Sequence, residues 1–383
     1  MSNGSLTLLL MLGVTVIGSN GLVLSPILPD VAAALDATPA AVARAIAAYG
    51  GATALSASTL GFVVDRHGVR ATLAGGTVLL AIGTFGSAAA WHWTILAAGQ
   101  VLAGLAAGVM LPAIYASATT TGTPAEGARI LGRVLTGWSV SLVAGVPLSA
   151  FAASQLGWRA AYVLLGALAS IALIGFLRLP RRSRPAASAA AADGPIAAIR
   201  LPGVAVLLLV QFLFMAAFYG VYAFLGDHLQ TGLGLSTAAA GAVVLAYGVG
   251  FGLAALGDGA VTRIDPRRAL PLALACVGAV YAAMPFVVTA PVGAFAAAFA
   301  WGFVNHAALN LTVLRLSADR GAMRGAVLGL NTAVTYLGAL AGPLGLGTLY
   351  AGSGFGALAS GGAACIAGSV LLASGVRWTR RGA

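Results

Sequence analysis

Lysine is absent from this 383-residue chain, so all 20 basic positions are arginine, and only nine residues are acidic. Charged residues make up 8% of the sequence and apolar residues 60%. A soluble domain carries about 25% charged residues. Surface-to-volume scaling would force much of this apolar surface into water. The scarcity of charge therefore excludes an ordinary soluble fold, and lipid is the solvent that resolves it. Cysteine is scarce as well. Cys276 and Cys365 both fall inside apolar runs, which leaves no disulfide or metal framework and reads both as small buried hydrophobes. The four histidines, His67, His92, His228 and His306, are scattered over different segments. With no acidic metal motif beside them, no cofactor is expected, and a membrane-embedded enzyme stays only a remote alternative. No basic segment precedes the first apolar run, so a cleaved signal peptide is not expected.

What the chain does have is long apolar runs and 53 glycines. A spanning helix needs about 20 apolar residues, and small residues let such helices approach closely. The runs do not alternate in polarity, which excludes a membrane barrel. Spans are expected at 6–29, 40–62, 70–90, 94–115, 130–153, 158–178, 203–226, 236–258, 269–289, 292–316, 325–350 and 355–377. With the N-terminus placed in the cytoplasm, eighteen arginines fall in cytoplasmic segments and only Arg44 and Arg159 fall outside. That is the positive-inside distribution. It predicts both termini in the cytoplasm of a bacterial inner membrane, and it accounts for the net charge of +11 without nucleic acid. Residues 179–201 form the longest polar stretch, rich in Arg, Pro, Ala and Ser. They read as a linker between a first half (1–178) and a second half (202–383), each of six spans.

The loop after the second span reads Gly61-Phe62-Val63-Val64-Asp65-Arg66-His67-Gly68-Val69-Arg70. This resembles the signature Gly-x-x-x-Asp-Arg-x-Gly-x-Arg of the major facilitator superfamily. A degenerate copy, Gly257 to Arg268 with Thr262 where the first has Asp65, stands at the matching place of the second half. The fifth span carries Gly145-Val146-Pro147 followed by Gly157-Trp158-Arg159. This is similar to the antiporter motif of the twelve-span drug:proton and sugar-efflux branch. Leu28-Pro29-Asp30 and the Leu330–Pro343 segment resemble the same branch. The resemblance implies an all-α membrane protein with twelve transmembrane helices in two pseudo-symmetric six-helix halves. It implies alternating access, with Gly61, Asp65, Arg66, Gly68, Arg70, Gly145 and Pro147 as conformational gate residues. Proton antiporters of the family carry an Arg in the fourth span four residues before a Gly. Here that position is Gln100, ahead of Gly104, which puts the usual coupling scheme in question.

Charged residues at a membrane midplane are costly and mark function, yet no acidic residue falls at an expected midplane. The polar candidates for a substrate site are Asn20, Gln100, Gln211, Tyr219, Tyr222, Asn305, His306, Asn310 and Asn331. Ordinary helix–helix packing is the competing reading for each of them. Proton-coupling candidates are His306, which titrates near neutrality, and Asp30 and Asp227 at the outer ends of the first and seventh spans. Asp30 and Asp227 read as outer-gate contacts, with Arg44 as an expected partner. With neither a buried carboxylate for a cation nor a buried Arg for an anion, the expected cargo is a small neutral, zwitterionic or weakly charged organic molecule. The expectation is a monomeric, proton-coupled exporter, with an uncoupled facilitator or importer of the same fold as the alternative.

Overall fold

The computed structural model describes residues 3–60, 62–180, 194–257, 266–318 and 323–375. Among them, ten helices are long and apolar enough to cross a membrane, and the bent pair Leu28–Ala34 with Pro39–Thr59 supplies an eleventh crossing. One of the ten is the 52-residue helix Arg324–Gly375. It breaks at Gly354, whose φ of 74° only glycine adopts readily, and so makes two crossings. Twelve spans result, as expected. The first is Asn3–Leu22, the second Pro39–Thr59, the third Phe62–Ala88, the fourth Trp93–Thr119 and the sixth Arg159–Leu177. The fifth runs from Pro124–Val140 through a π-helical turn, Ser141–Gly145, into Val146–Leu156. The seventh is Val204–Asp227, continued by a π turn His228–Gly232; the eighth is Thr237–Ala255, the ninth Pro266–Val287 and the tenth Pro291–Ser317. The eleventh and twelfth lie on either side of Gly354. The face that holds residue 3 is called the near face below, and the opposite one the far face.

Three expectations are corrected. The first span does not run helically to residue 29. It stops at Leu22, turns through residues 23–27 and resumes as the short helix Leu28–Ala34, because Pro26 has no N–H to continue the ladder. The short helix lies at 116° to the second span. In addition, one arginine is buried where none was expected: Arg315, in the last turn of the tenth span, is only 3% exposed. Cys276, expected to be buried, is exposed, while Cys365 is half-buried.

Leu8, Ile82, Phe151, Ile171, Phe286 and Leu371 point outward, as lipid-facing side chains do where apolar groups lose nothing by exposure. The halves meet along three seams. Spans two and eleven touch at Gly50, where an added Cβ would lie 2.7 Å from the Cβ of Ala339. Spans five and eight touch at Gly248, where it would lie 2.9 Å from the Cβ of Leu142. Spans one and seven are bonded at the far face.

Candidate functional site

In the first half, three spans converge on a chain of neutral polar groups. Asn20 Nδ2 donates to Gln100 Oε1 at 3.1 Å, Gln100 Nε2 donates to Ser87 Oγ at 3.0 Å, and Ser87 Oγ donates to the Gly83 carbonyl at 2.8 Å. All three side chains are buried. Gln100 thus completes an uncharged relay where an Arg would require a counter-ion. The Asn20 Oδ1 atom and the neighbouring Ser19 Oγ have no hydrogen-bond partner. Ser19 also lies where a Cβ on Gly145 would fall, so the first and fifth spans approach closely because position 145 has no side chain. Just beyond, Pro147 removes an N–H, and the helix accommodates it with the π turn, in which Val146 N–H reaches back to Ser141 O.

In the second half, the polar groups stand among aromatic rings. Phe218 contacts Tyr219, Tyr222, Tyr247 and Trp301, with ring centroids 5.0–5.7 Å apart. Asn305 Nδ2 donates to Tyr247 Oη at 3.1 Å, and Gln211 Nε2 donates to Thr335 Oγ1 at 2.9 Å. The His306 ring packs edge-on against Phe251, with centroids 4.8 Å apart. Asn310, half-buried, follows four residues later on the same face. Asn331 is buried in the eleventh span. The carbonyl oxygens of Gln211, Asn305 and Asn331 are buried without a partner, like that of Asn20. Tyr219 packs against both hydrophobic cores, next to an edge-to-face pair, Tyr49 and Tyr336, that bridges the halves at 6.4 Å.

At the far face the two halves are joined by hydrogen bonds. The first span ends at Leu22, so its last carbonyls lack helical donors. Tyr222 Oη donates to the Leu22 carbonyl at 3.1 Å. Ser25 Oγ donates in return to the Tyr222 carbonyl. Gln230 Nε2 donates to the Pro26 carbonyl at 2.7 Å, and Thr237 Oγ1 lies 2.7 Å from Asp30 Oδ2. Gly226 admits this approach: a Cβ there would fall 2.7 Å from the Cα of Pro26. Tyr222 is therefore 1% exposed and spends its hydroxyl on the seam between the halves.

The profile of the Major Facilitator Superfamily matches residues 9–343. The chain belongs to the major facilitator superfamily. It is 30% identical over 360 residues to the uncharacterized MFS-type transporter YwfA of Bacillus subtilis (strain 168), covering 91% of this chain and 87% of that protein. It is 26% identical to a chloramphenicol resistance protein of Streptomyces lividans, covering 88% and 86% of the two chains. The solved structure of a bacterial homolog of the human lysosomal transporter Spinster aligns with a TM-score of 0.73 at 17% identity, over 97% of this chain and 94% of that one. The chain is thus a multi-pass membrane transporter and not an enzyme.

Other expected residues of this transporter are placed as follows. Asp30 bonds across the halves to Thr237, whereas Asp227, 5% exposed, accepts from Tyr350 Oη at 2.5 Å within its own half. Arg44 serves neither carboxylate in these bonds; its guanidinium stands 5.5 Å over the Trp93 ring. In the signature loop, Gly68 has φ 79° with nothing near its missing Cβ, so the glycine is required by the backbone and not by packing. Arg66 is exposed and Arg70 half-buried. Gly61 and the side chain of Asp65 lie outside the described residues. Arg159 Nη2 donates to the Ala90 carbonyl at 2.9 Å and stacks over Trp158, which ties the start of the sixth span to the end of the third.

The sequence reading did not single out Ser87, Thr335, Tyr247, Trp301, Ser25, Gln230, Thr237 or Tyr350. A proline next to a serine inside an apolar run, Ser25-Pro26, was the one local signal available for the far-face seam.

Proposed function

We propose that this transporter exports a small neutral, zwitterionic or weakly charged organic molecule by alternating access, driven by proton antiport across a bacterial inner membrane. The near face is assigned to the cytoplasm on the arginine distribution. The observation that carries the reading is the chemistry of the second half's interior. Aromatic rings around Phe218 stand beside buried amides whose carbonyl oxygens are unpartnered. Such a surface favours a cargo with apolar or aromatic bulk and neutral hydrogen-bond donors. Chloramphenicol is a molecule of that class, and a relative that aligns over most of the chain is a chloramphenicol resistance protein. The loop around Gly68 is assigned to the near-face gate, with Asp65 as its anion.

The test is uptake of labelled chloramphenicol into inside-out vesicles containing the purified chain. Acidifying the lumen should drive accumulation, and collapsing the pH gradient should abolish it. His306→Gln should remove the proton-driven component and leave energy-independent exchange. Transport that ignores the gradient replaces the antiporter with a facilitator. If neither chloramphenicol nor other neutral or zwitterionic probes are carried or shift the melting temperature, the cargo class is wrong.

A further inference from the structure

A charged groove opens at the near face. Between the first turn of the first span and the start of the fifth lies a cavity of about 100 Å³, with Asn3, Gly4 and Thr7 on one side and Glu126, Arg129 and Arg133 on the other. The fifth span begins here on a capping box. Glu126 N–H donates to Thr123 Oγ1 at 3.3 Å, and Thr123 N–H donates to Glu126 Oε2 at 2.8 Å. The Glu126 carboxylate is thus turned toward its own cap. Arg129 and Arg133 stand one turn apart on one helix face, and both are exposed. Two guanidiniums against one carboxylate leave the cavity net positive. The first span adds the positive pole of a 20-residue helix.

Those charges alone would suit any small anion, but the groove below them narrows the ligand. Arg129, Arg133, Thr136 and Val140 recur at i, i+4, i+7 and i+11, so they form one stripe along the fifth span. All four are exposed. Thr136 Oγ1 lies 3.4 Å from Met11 Sδ, which sets the first span beside the stripe. Leu8, one turn beyond Gly4 in the first span, is exposed as well. At 1.5 Å per residue, the stripe descends about 10 Å from Arg133 to Val140. The groove is therefore cationic at its mouth and apolar below. It also faces away from the fourth span. Trp138, nine residues after Arg129, lies on the opposite side of the helix, where its Nε1 donates to Tyr115 Oη of the fourth span at 3.2 Å. The stripe faces lipid.

We propose that this groove is a binding site for an anionic glycerophospholipid. Its phosphate sits between Arg129 and Arg133, and an acyl chain runs over Thr136 and Val140 beside Leu8. A basic pocket between transmembrane helices is a surface that anionic headgroups recognise. A free phosphate shares the chemistry of the mouth but leaves the apolar stripe unfilled. A zwitterionic lipid fills the stripe but carries its own ammonium against the arginines. The site requires neither the cargo nor the proton coupling proposed above.

The test is native mass spectrometry of the full chain, purified in detergent, stripped of lipid and titrated with dioleoylphosphatidylglycerol. One molecule should bind more tightly than dioleoylphosphatidylethanolamine does. An arginine near the membrane surface contributes about fivefold to such binding. Arg129→Gln with Arg133→Gln should therefore weaken it about thirtyfold, whereas Arg129→Lys with Arg133→Lys should keep most of it. Arg200→Gln, at an exposed position of the second half, should leave it unchanged. Melting temperatures report that each variant is folded. Wild-type binding by a folded double Gln variant overturns the proposal, and so does an equal loss in Arg200→Gln, which would mean diffuse attraction and no site. Equal binding of the phosphatidylethanolamine overturns the anionic class. Displacement of the lipid by an equal concentration of inorganic phosphate overturns the lipid assignment.

Discussion

Removing one hydroxyl at the seam should open the far face measurably. Tyr222 Oη donates to the carbonyl at which the first span ends. Tyr222→Phe deletes that bond but keeps the ring, which stacks on Phe218 at 5.5 Å with an interplanar angle of 27°. Packing is therefore conserved and the change isolates the hydrogen bond. Such a bond is worth about 0.5–1.5 kcal/mol net in proteins, and bonds between membrane helices average about 0.6. The Leu22 carbonyl is left without its donor, which favours the upper part of that range. A loss of about 1 kcal/mol is roughly a fivefold change in the closed-to-open ratio. The assay uses Leu24→Cys, at a position 2% exposed beside the seam, in a background without Cys276 and Cys365. Maleimide labelling in detergent reads the open fraction, and Tyr222→Phe should raise its rate about fivefold. An unchanged or slower rate would refute the assignment of Tyr222 as a fastening between the halves.

Two further substitutions test the interior. Gln100→Arg restores the residue that proton antiporters of the family carry, but here it places a charge in a neutral relay with Asn20 and Ser87. An Arg at a helix centre costs about 2.5–3.5 kcal/mol on insertion scales, so the melting temperature of the purified protein should fall, and Asn20→Asp in the same chain should recover part of the loss by supplying a counter-ion. Gly50→Val puts a side chain against Ala339 and the Leu340 amide, where even a Cβ would stand 2.7–2.8 Å away; overpacking of this kind costs about 1–3 kcal/mol, seen as a lower melting temperature together with slower transport.

The spans were legible because one physical term dominates them. A helix in lipid must be apolar along its length, and that requirement leaves a local trace at every crossing. The breaks were legible only in part. Pro26 marks the end of the first helix, yet hydropathy alone carries the run on to residue 29, because the unwound residues are as apolar as the helix. The last helix shows the reverse. Residues 324–375 are apolar and rich in small residues without interruption, and the boundary between spans eleven and twelve is marked by the kink at Gly354, with its positive φ. Gly68 was legible for the same reason: a required backbone conformation selects glycine whatever the surroundings.

The polar site was legible as a set of candidates but not as a set of bonds. Asn20 and Gln100 are 80 residues apart, Gln211 and Thr335 are 124 apart, and Tyr222 and Leu22 are 200 apart. No periodicity links such pairs. A search guided by charge passes over them as well, since the far-face partners are mostly hydroxyls, an amide and backbone carbonyls, with Asp30 the lone carboxylate. This choice of groups suits a carrier. Four bonds cross the halves at the far face. At about 0.6 kcal/mol each they hold it closed by about 2–3 kcal/mol. That is the scale at which two conformations of one protein remain in exchange. Breaking a buried ion pair instead costs about 3–5 kcal/mol, which would leave the opposite state almost unpopulated. Neutral bonds let the seam part on each cycle.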